Sequence, residues 1–169
     1  MKKILKPLLV VAIFISLIVT LFLSMAGNPH PEVLLTGNRD QKAVDLFPGA
    51  YQCTECKMVI RDIPFSAQAA APDGTTRFFD DIGCLVRWID ESPAASRSAL
   101  WVFALDTRRW VDAREAWYSV SESTPMHYGF GAHERVCTGC IGFRELIERM
   151  RKGEHLANPA YAKTAKRPD

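Results

Sequence analysis

Apolar positions are continuous over one stretch near the N-terminus. Residues 8–26 are apolar except for two serines and a threonine, and three lysines precede them while none directly follows. An apolar helix of about 17–25 residues can cross a bilayer, and lysines on the N-terminal side favour a cytoplasmic N-terminus. We therefore predict that residues 1–27 form a hydrophobic helix that anchors the chain in the cytoplasmic membrane as a single pass. A cleaved signal sequence is the alternative, and both interpretations place the remaining chain on the periplasmic side.

Shorter patterns predict the first part of a folded domain. Residues 65–71 and 75–79 are strand-like, and the Asp-Gly pair between them is a strong hairpin signal. The apolar positions of residues 82–89 then fall on one face of a helix. Asp80 or Asp81 is the predicted N-cap of that helix.

The second part of the domain repeats the order of hairpin then helix. Strands are predicted, in chain order, at residues 100–105, 110–111, 117–120 and 128–132, with a helical turn at 112–116. The last helix covers residues 142–152 and ends before Gly153, a typical C′ residue. Strands and helices arranged in this way indicate an α+β domain over residues 50–153. A linker, residues 28–49, precedes the domain, and a flexible polar tail, residues 154–169, follows it.

The charge of the exported part bears on its function. The whole chain has a formal charge of +2, and removing residues 1–27 takes away three lysines and no acid, which leaves −1. A near-neutral domain gives no support to nucleic-acid binding. The sequence also lacks a Ser-His-Asp order, a Gly-rich phosphate loop and an HExxH pattern, so an enzyme is not favoured.

Two cysteines and a methionine form the first candidate metal site. Cys53-x-x-Cys56-x-Met58 places two thiols and a thioether within six residues. Such soft ligands favour Cu(I), whereas zinc would accept the cysteines but has little use for the methionine. The alternative is a disulfide between Cys53 and Cys56, with Met58 as a core residue.

A second methionine lies in a proline-anchored loop. Met126-His127 places a thioether beside an imidazole, and His133 follows a few residues later. A Met-His pair alone is more often incidental than functional. Because both ligand types suit copper, Met126, His127 and His133 join the candidate ligands.

The other three cysteines have different surroundings. Cys84 lies in the helix predicted over residues 82–89 and is expected to be a buried free thiol. Cys137-x-x-Cys140 comes just before the last helix, whose N-terminus would stabilise a thiolate. Three interpretations of this pair stay open: a structural disulfide, which we rank first, a redox or metal-transferring pair, and half of a four-cysteine zinc site with Cys53 and Cys56.

Five motifs occur in order between residues 51 and 132. They are Cys53-x-x-Cys56-x-Met58-Val-Ile, Pro64-Phe-Ser-Ala-Gln68, Phe78-Phe-Asp-Asp-Ile-Gly-Cys-Leu-Val-Arg-Trp88, Trp110-Val-Asp-Ala113 and Thr124-Pro-Met126. Together they resemble the NosL family of copper-binding accessory proteins for nitrous-oxide reductase maturation. The resemblance implies a domain of two similar ββαβ halves with Cu(I) ligands at Cys53, Cys56, Met58 and Met126. It implies a metallochaperone that delivers copper to nitrous-oxide reductase or another extracytoplasmic cuproprotein.

The chain departs from the family pattern at several positions. Lys57 stands where the family has a glycine, and because a left-handed backbone is costly for lysine, we expect this loop to differ slightly. His127 replaces the glycine after Thr-Pro-Met and adds a nitrogen to the candidate ligands. The Cys137-x-x-Cys140 pair lies outside the family pattern.

Two other functions compete with the copper chaperone. A thiol–disulfide oxidoreductase would use Cys137 and Cys140 and would need a lowered thiol pKa. A structural zinc-binding module would use Cys53, Cys56 and that pair, and it would give the methionines no role.

Overall fold

The computed structural model describes residues 2–26 and 31–165. Helix α1 (Lys2–Ala26) belongs to one compact unit, and the chain from residue 31 onward forms a second. A helix is therefore present at the predicted N-terminal position. Within the described residues, however, no helix is both long and apolar enough to cross a membrane.

The larger of two antiparallel sheets contains five strands. In chain order they are β1 (Leu34–Leu35), β2 (Ala67–Ala70), β3 (Thr76–Phe79), β4 (Ala99–Phe103) and β5 (Trp110–Asp112), arranged as β1-β3-β2-β4-β5. The β2–β3 hairpin is in the predicted place, with Ala67 opposite Phe79. Strand β2 is buried along its whole length, because it is central in the sheet and both of its faces are covered.

Helix α2 (Ile82–Glu91) follows β3 directly. Asp81 is the N-cap, since its Oδ1 accepts the N–H of Gly83 at 2.9 Å. The predicted apolar face is buried at Ile82, Leu85 and Val86. A 3-10 helix then leads into β4.

Residues 31–49, predicted as a linker, run along the five-stranded sheet. Strand β1 pairs with β3. The buried side chain of Gln68 in β2 accepts the N–H of Val44 at 2.9 Å and donates to its carbonyl at 2.6 Å. The Trp101 indole donates to the carbonyl of Gln41 at 2.9 Å. These bonds hold the segment that leads to Cys53 against the domain.

The smaller sheet contains three strands in the order β7-β6-β8. They are β6 (Trp117–Ser119), β7 (Gly131–His133) and β8 (Ile141–Gly142), followed by α3 (Phe143–Lys152) and α4 (Pro159–Ala165). Gly153 ends α3 in the left-handed conformation at φ 71°, as predicted. Residues 154–165, predicted as part of a flexible tail, include α4 and a bond from Leu156 N–H to the carbonyl of Tyr128 at 3.2 Å.

The architecture is α+β, as the sequence predicts. The order β2-β3-α2-β4 gives one ββαβ unit, whereas α3 follows three strands and no strand follows it within the described residues. The predicted second ββαβ half is therefore not confirmed. One core joins both sheets, with Phe78 and Leu85 on one side and Tyr118 and Leu146 on the other, all fully buried.

Candidate metal centre

A tight loop carries Cys53 and Cys56. Gln52 and Val59 form an antiparallel bridge, and the N–H of Cys53 donates to the carbonyl of Met58 at 2.8 Å. Lys57 closes the turn with its N–H 3.1 Å from the carbonyl of Cys53. The loop thus turns Cys53 into the core and leaves Cys56 half-buried.

Lys57 adopts the left-handed backbone that the family's glycine implies. Its φ is 65°, and that of His127, the other position where glycine is replaced, is 58°. Lys57 thus has the conformation that is costly for lysine, and the expectation that this loop differs from the family's stays a prediction. The backbone bonds of the turn hold lysine in a conformation that is about 1–2 kcal/mol less favourable than the right-handed one.

Four side chains come together where this loop meets the start of α2. One ligand atom each from Cys53, Cys56, Asp80 and Cys84 lies within 4.8 Å of all the others. All three cysteines are free thiols, so the alternative of a Cys53–Cys56 disulfide is not found. We call these four residues the thiol cluster.

Asp80 is the most unusual member of the thiol cluster. Its side chain is buried, and Oδ1 accepts the Cys56 thiol at 3.3 Å. Its Oδ2 is also buried and has no hydrogen-bond partner among the described residues. A buried carboxylate oxygen without a partner is costly, which indicates a position shaped for a cation.

The thiols do not lose their protons equally. The Cys84 thiol donates to Cys53, which lowers the pKa of Cys53 despite its burial and raises the pKa of Cys84. Burial raises the pKa of Cys56 to about 12. Cys53 is therefore the first thiolate of the cluster. A soft metal ion that binds here would displace the remaining thiol protons.

Asp80 and Cys84 were missed as ligands by the sequence analysis. Asp80 was interpreted as a possible N-cap and Cys84 as a buried thiol, and Cys84 is indeed buried and free. The backbone of Thr54 donates to the carbonyl of Phe78 at 2.8 Å, which fixes the loop beside the end of β3. The one signal in the sequence that could have indicated both ligands is the Asp-x-x-x-Cys spacing across a helix start.

The second methionine loop is fixed to the same helix start. Asp81 Oδ2 accepts the N–H of Met126 at 3.0 Å while Oδ1 caps α2. Burial raises the pKa of Asp81, and its bonds to Thr124, Gly83 and Met126 oppose that shift. The Asp81 carboxylate therefore holds the backbone of Met126 at the start of α2, one residue after Asp80 of the thiol cluster.

Two cavities adjoin the cluster on its open side. Met58, Asp80 and Pro125 are among the residues that line a cavity of about 290 Å³. A neighbouring cavity of about 620 Å³ is lined by Met58 and His127. Met58 is 48% exposed, His127 is exposed, and Met126 packs partly buried against the core. The structure thus places Cys53 and Cys56 in the thiol cluster, and Met58 and His127 on one cavity beside it.

Arg87 of α2 contacts both sulfur-bearing loops. Its guanidinium lies 3.1 Å from Glu55 Oε1, between the two cysteines of the first loop. The neighbouring hydroxyl of Tyr128, two residues after Met126, raises the pKa of Arg87. Arg87 is therefore a common anchor for the two loops.

His133, the sixth predicted ligand, belongs to a different group. Its ring lies with Cys137 and Cys140, with all three ligand atoms within 4.8 Å of one another. Cys137 and Cys140 form a disulfide, which confirms the interpretation ranked first. Neither of them joins the thiol cluster, so the four-cysteine zinc site is not found in the described part of the chain.

Comparisons with known proteins agree with this fold. No family model and no curated protein sequence matches the chain. Among solved structures, the chain is similar to the crystal structure of the copper chaperone NosL from Shewanella denitrificans. The TM-score is 0.50 and the identity 16%, over 64% of this chain and 87% of that one. At this identity the likeness establishes a NosL-like fold.

Proposed function

We propose that the domain is a metallochaperone that binds Cu(I) and passes it to a cuproprotein outside the cytoplasm. The observation that carries the proposal is the three free thiols, Cys53, Cys56 and Cys84, which the thiol cluster brings together. Thiolates are the ligands that most favour Cu(I). The NosL-like fold supports the same cargo, because the similar solved structure is that of a copper chaperone.

The exposure of the candidate ligands suits transfer rather than storage. Cys53 is fully buried, Cys56 is half-buried and Met58 is 48% exposed. An ion could therefore move from thiolates to a thioether at the surface by exchanging one ligand at a time. His127 lines the same cavity as Met58, and Met126 precedes it in the loop, so we include both in the proposed path.

The client and the compartment rest on the sequence. The family resemblance favours nitrous-oxide reductase or its assembly machinery as the recipient of copper. The lysine-flanked apolar segment favours an extracytoplasmic domain, and a disulfide at Cys137–Cys140 is consistent with an oxidising compartment. Membrane attachment through residues 1–27 stays a prediction.

The test is Cu(I) affinity, measured anaerobically against a chromogenic Cu(I) chelator. Cys56→Ser should weaken binding at least tenfold, which is about 1.4 kcal/mol, and Met126→Leu should weaken it by a smaller factor. Leucine keeps the volume of methionine and removes only the sulfur. Met150→Leu is the matched control, since Met150 lies in α3 and packs in the core. Equal affinity in Cys56→Ser and the wild type would reject the proposal.

A structural zinc site is the second candidate, and Asp80 is the residue that favours it. Three thiolates and one carboxylate give the four ligands of a closed tetrahedral zinc site. In that case the purified protein contains zinc, and a chelator lowers its melting temperature. Asp80→Asn separates the two functions, because it should weaken Zn(II) binding strongly and Cu(I) binding little.

A further inference from the structure

A second group of metal-ligand side chains lies on the small sheet. His133 ends β7, and Cys137 and Cys140 flank the turn that leads into β8. One ligand atom from each lies within 4.8 Å of the other two, and all three residues are half-buried. The disulfide occupies both sulfurs in the present state.

The ring of His133 is oriented by Ser119. The Ser119 hydroxyl has one proton and faces two acceptors, Glu122 Oε1 at 2.8 Å and the carbonyl of Gly131 at 3.3 Å. Its oxygen also lies 3.2 Å from His133 Nε2, within hydrogen-bond distance. This hydrogen bond fixes the orientation of the imidazole ring, as second-shell partners do for metal-bound histidines.

We infer that His133, Cys137 and Cys140 form a second Cu(I) site that exists only when the Cys137–Cys140 disulfide is reduced. Two thiolates and one imidazole nitrogen are soft or borderline ligands and are sufficient for the low coordination number of Cu(I). The site lies apart from the thiol cluster, and its formation does not require that the thiol cluster bind copper.

The switch between the two states is a thiol–disulfide exchange with a dithiol reductant. The S–S bond between Cys137 and Cys140 breaks, the reductant's two thiols become a disulfide, and its two protons and two electrons yield two cysteine thiols. Binding of Cu(I) then releases those protons to solvent. Oxidation of the pair by a disulfide reverses the exchange and expels the ion.

The surroundings of the pair give a reductant access to it. Thr138 and Gly139, between the two cysteines, are exposed, and Val136 beside them is 69% exposed. Trp117, directly opposite His133 in the β6–β7 pairing, is 38% exposed. Apolar side chains at the surface around a disulfide suit docking of a dithiol-bearing protein.

The experiment counts Cu(I) ions bound by the full chain before and after reduction. The protein is treated with dithiothreitol, freed of it anaerobically and titrated with Cu(I) against a chromogenic chelator. Reduction should raise the number of free thiols from three to five. It should raise the number of bound Cu(I) ions by one per chain.

Two variants make the result specific. In the double variant Cys137→Ser/Cys140→Ser, reduction should leave the number of bound Cu(I) ions unchanged. The difference between wild type and this variant therefore excludes any ion bound by the thiol cluster. In His133→Ala, the extra ion should bind roughly tenfold or more weakly. The inference is overturned if reduced wild type and the reduced double-serine variant bind equal numbers of Cu(I). Because only the difference is used, that outcome is distinct from a failure of the thiol cluster to bind copper.

Discussion

At the scale of single residues, each of the two sulfur-bearing loops contains a non-glycine residue in a left-handed conformation. Lys57 and His127 occupy positions where the resembling family has glycine, and both are left-handed. Lys57 is held by its own bonds, because its carbonyl accepts from Gln52 and its ammonium donates to the carbonyl of Thr54. The conformation of each loop is therefore imposed by its hydrogen bonds.

Replacing Lys57 by glycine should stabilise the metal-free domain. The change relieves a left-handed penalty of about 1–2 kcal/mol and adds roughly 0.5–1 kcal/mol of backbone entropy cost. We expect a net gain in the free energy of unfolding of about 0.5 kcal/mol. Urea denaturation of the reduced, metal-free protein measures it.

Lys57→Ala is the matched control for that prediction. Alanine keeps the β-carbon, and so the strain, while it removes the bond from the ammonium to Thr54. It should show no gain in stability. If alanine stabilises the domain as much as glycine does, the gain comes from removing the Lys57 side chain and not from relief of backbone strain.

At the scale of elements, α2 is the support for the metal centre. Its cap Asp81 bonds the Met126 loop, its first turn supplies Cys84, and Arg87 contacts Glu55 and Tyr128. The helix therefore fixes the distance between the two sulfur-bearing loops. A change in this helix should alter copper binding without touching a ligand.

Arg87→Met tests this support. Methionine keeps much of the aliphatic volume but loses both polar contacts, so the two loops should move more freely and Cu(I) affinity should fall roughly tenfold. The stability of the metal-free domain should change by no more than about 1 kcal/mol, since the Arg87 side chain is 53% exposed. Chelator competition and urea denaturation give the two values.

Arg151→Met is the control, because it removes a salt bridge to α2 that lies away from both loops. Arg151 of α3 lies 2.6 Å from Asp90 near the other end of α2 and is similarly exposed. Its loss should leave Cu(I) affinity unchanged, because it contacts neither loop. A similar loss of affinity in both variants would mean that general loosening of α2, and not the Arg87 contacts, controls binding.

At the scale of the whole molecule, local patterns predicted the elements and long-range contacts decided the site. The β2–β3 hairpin, the Asp81 cap and the end of α3 at Gly153 each follow from a few neighbouring residues. The membership of Asp80 in the thiol cluster does not follow from neighbouring residues. It depends on the hydrogen bond from Thr54 in the loop to Phe78 of β3. The position of His133 beside Cys137 and Cys140 also depends on a long-range contact, the register of β6 and β7.

Two contacts join the elements of the larger sheet to those of the smaller sheet, and the sequence pattern could not indicate either of them. Gly83, in the first turn of α2, lies against the ring of the buried Tyr128. The N–H of Leu105 also donates to the carbonyl of Ala132 at 2.8 Å. Because one hydrophobic core spans both sheets, we expect residues 31–165 to unfold in a single transition.

Gly83→Ala should disrupt the packing of α2 against Tyr128. A β-carbon on Gly83 would lie 2.7 Å from Cβ of Tyr128 and would overlap its ring, so Tyr128 and the neighbouring Met126 loop must shift. Overpacking of this kind costs about 1–3 kcal/mol, against a gain in helix propensity of about 1 kcal/mol. We expect a net loss of stability of up to about 2 kcal/mol and weaker Cu(I) binding. Gly142→Ala is the control, since its φ is −83° and a β-carbon there meets nothing within 4 Å. If both variants lose stability equally, the Gly83–Tyr128 contact does not hold the two sheets together.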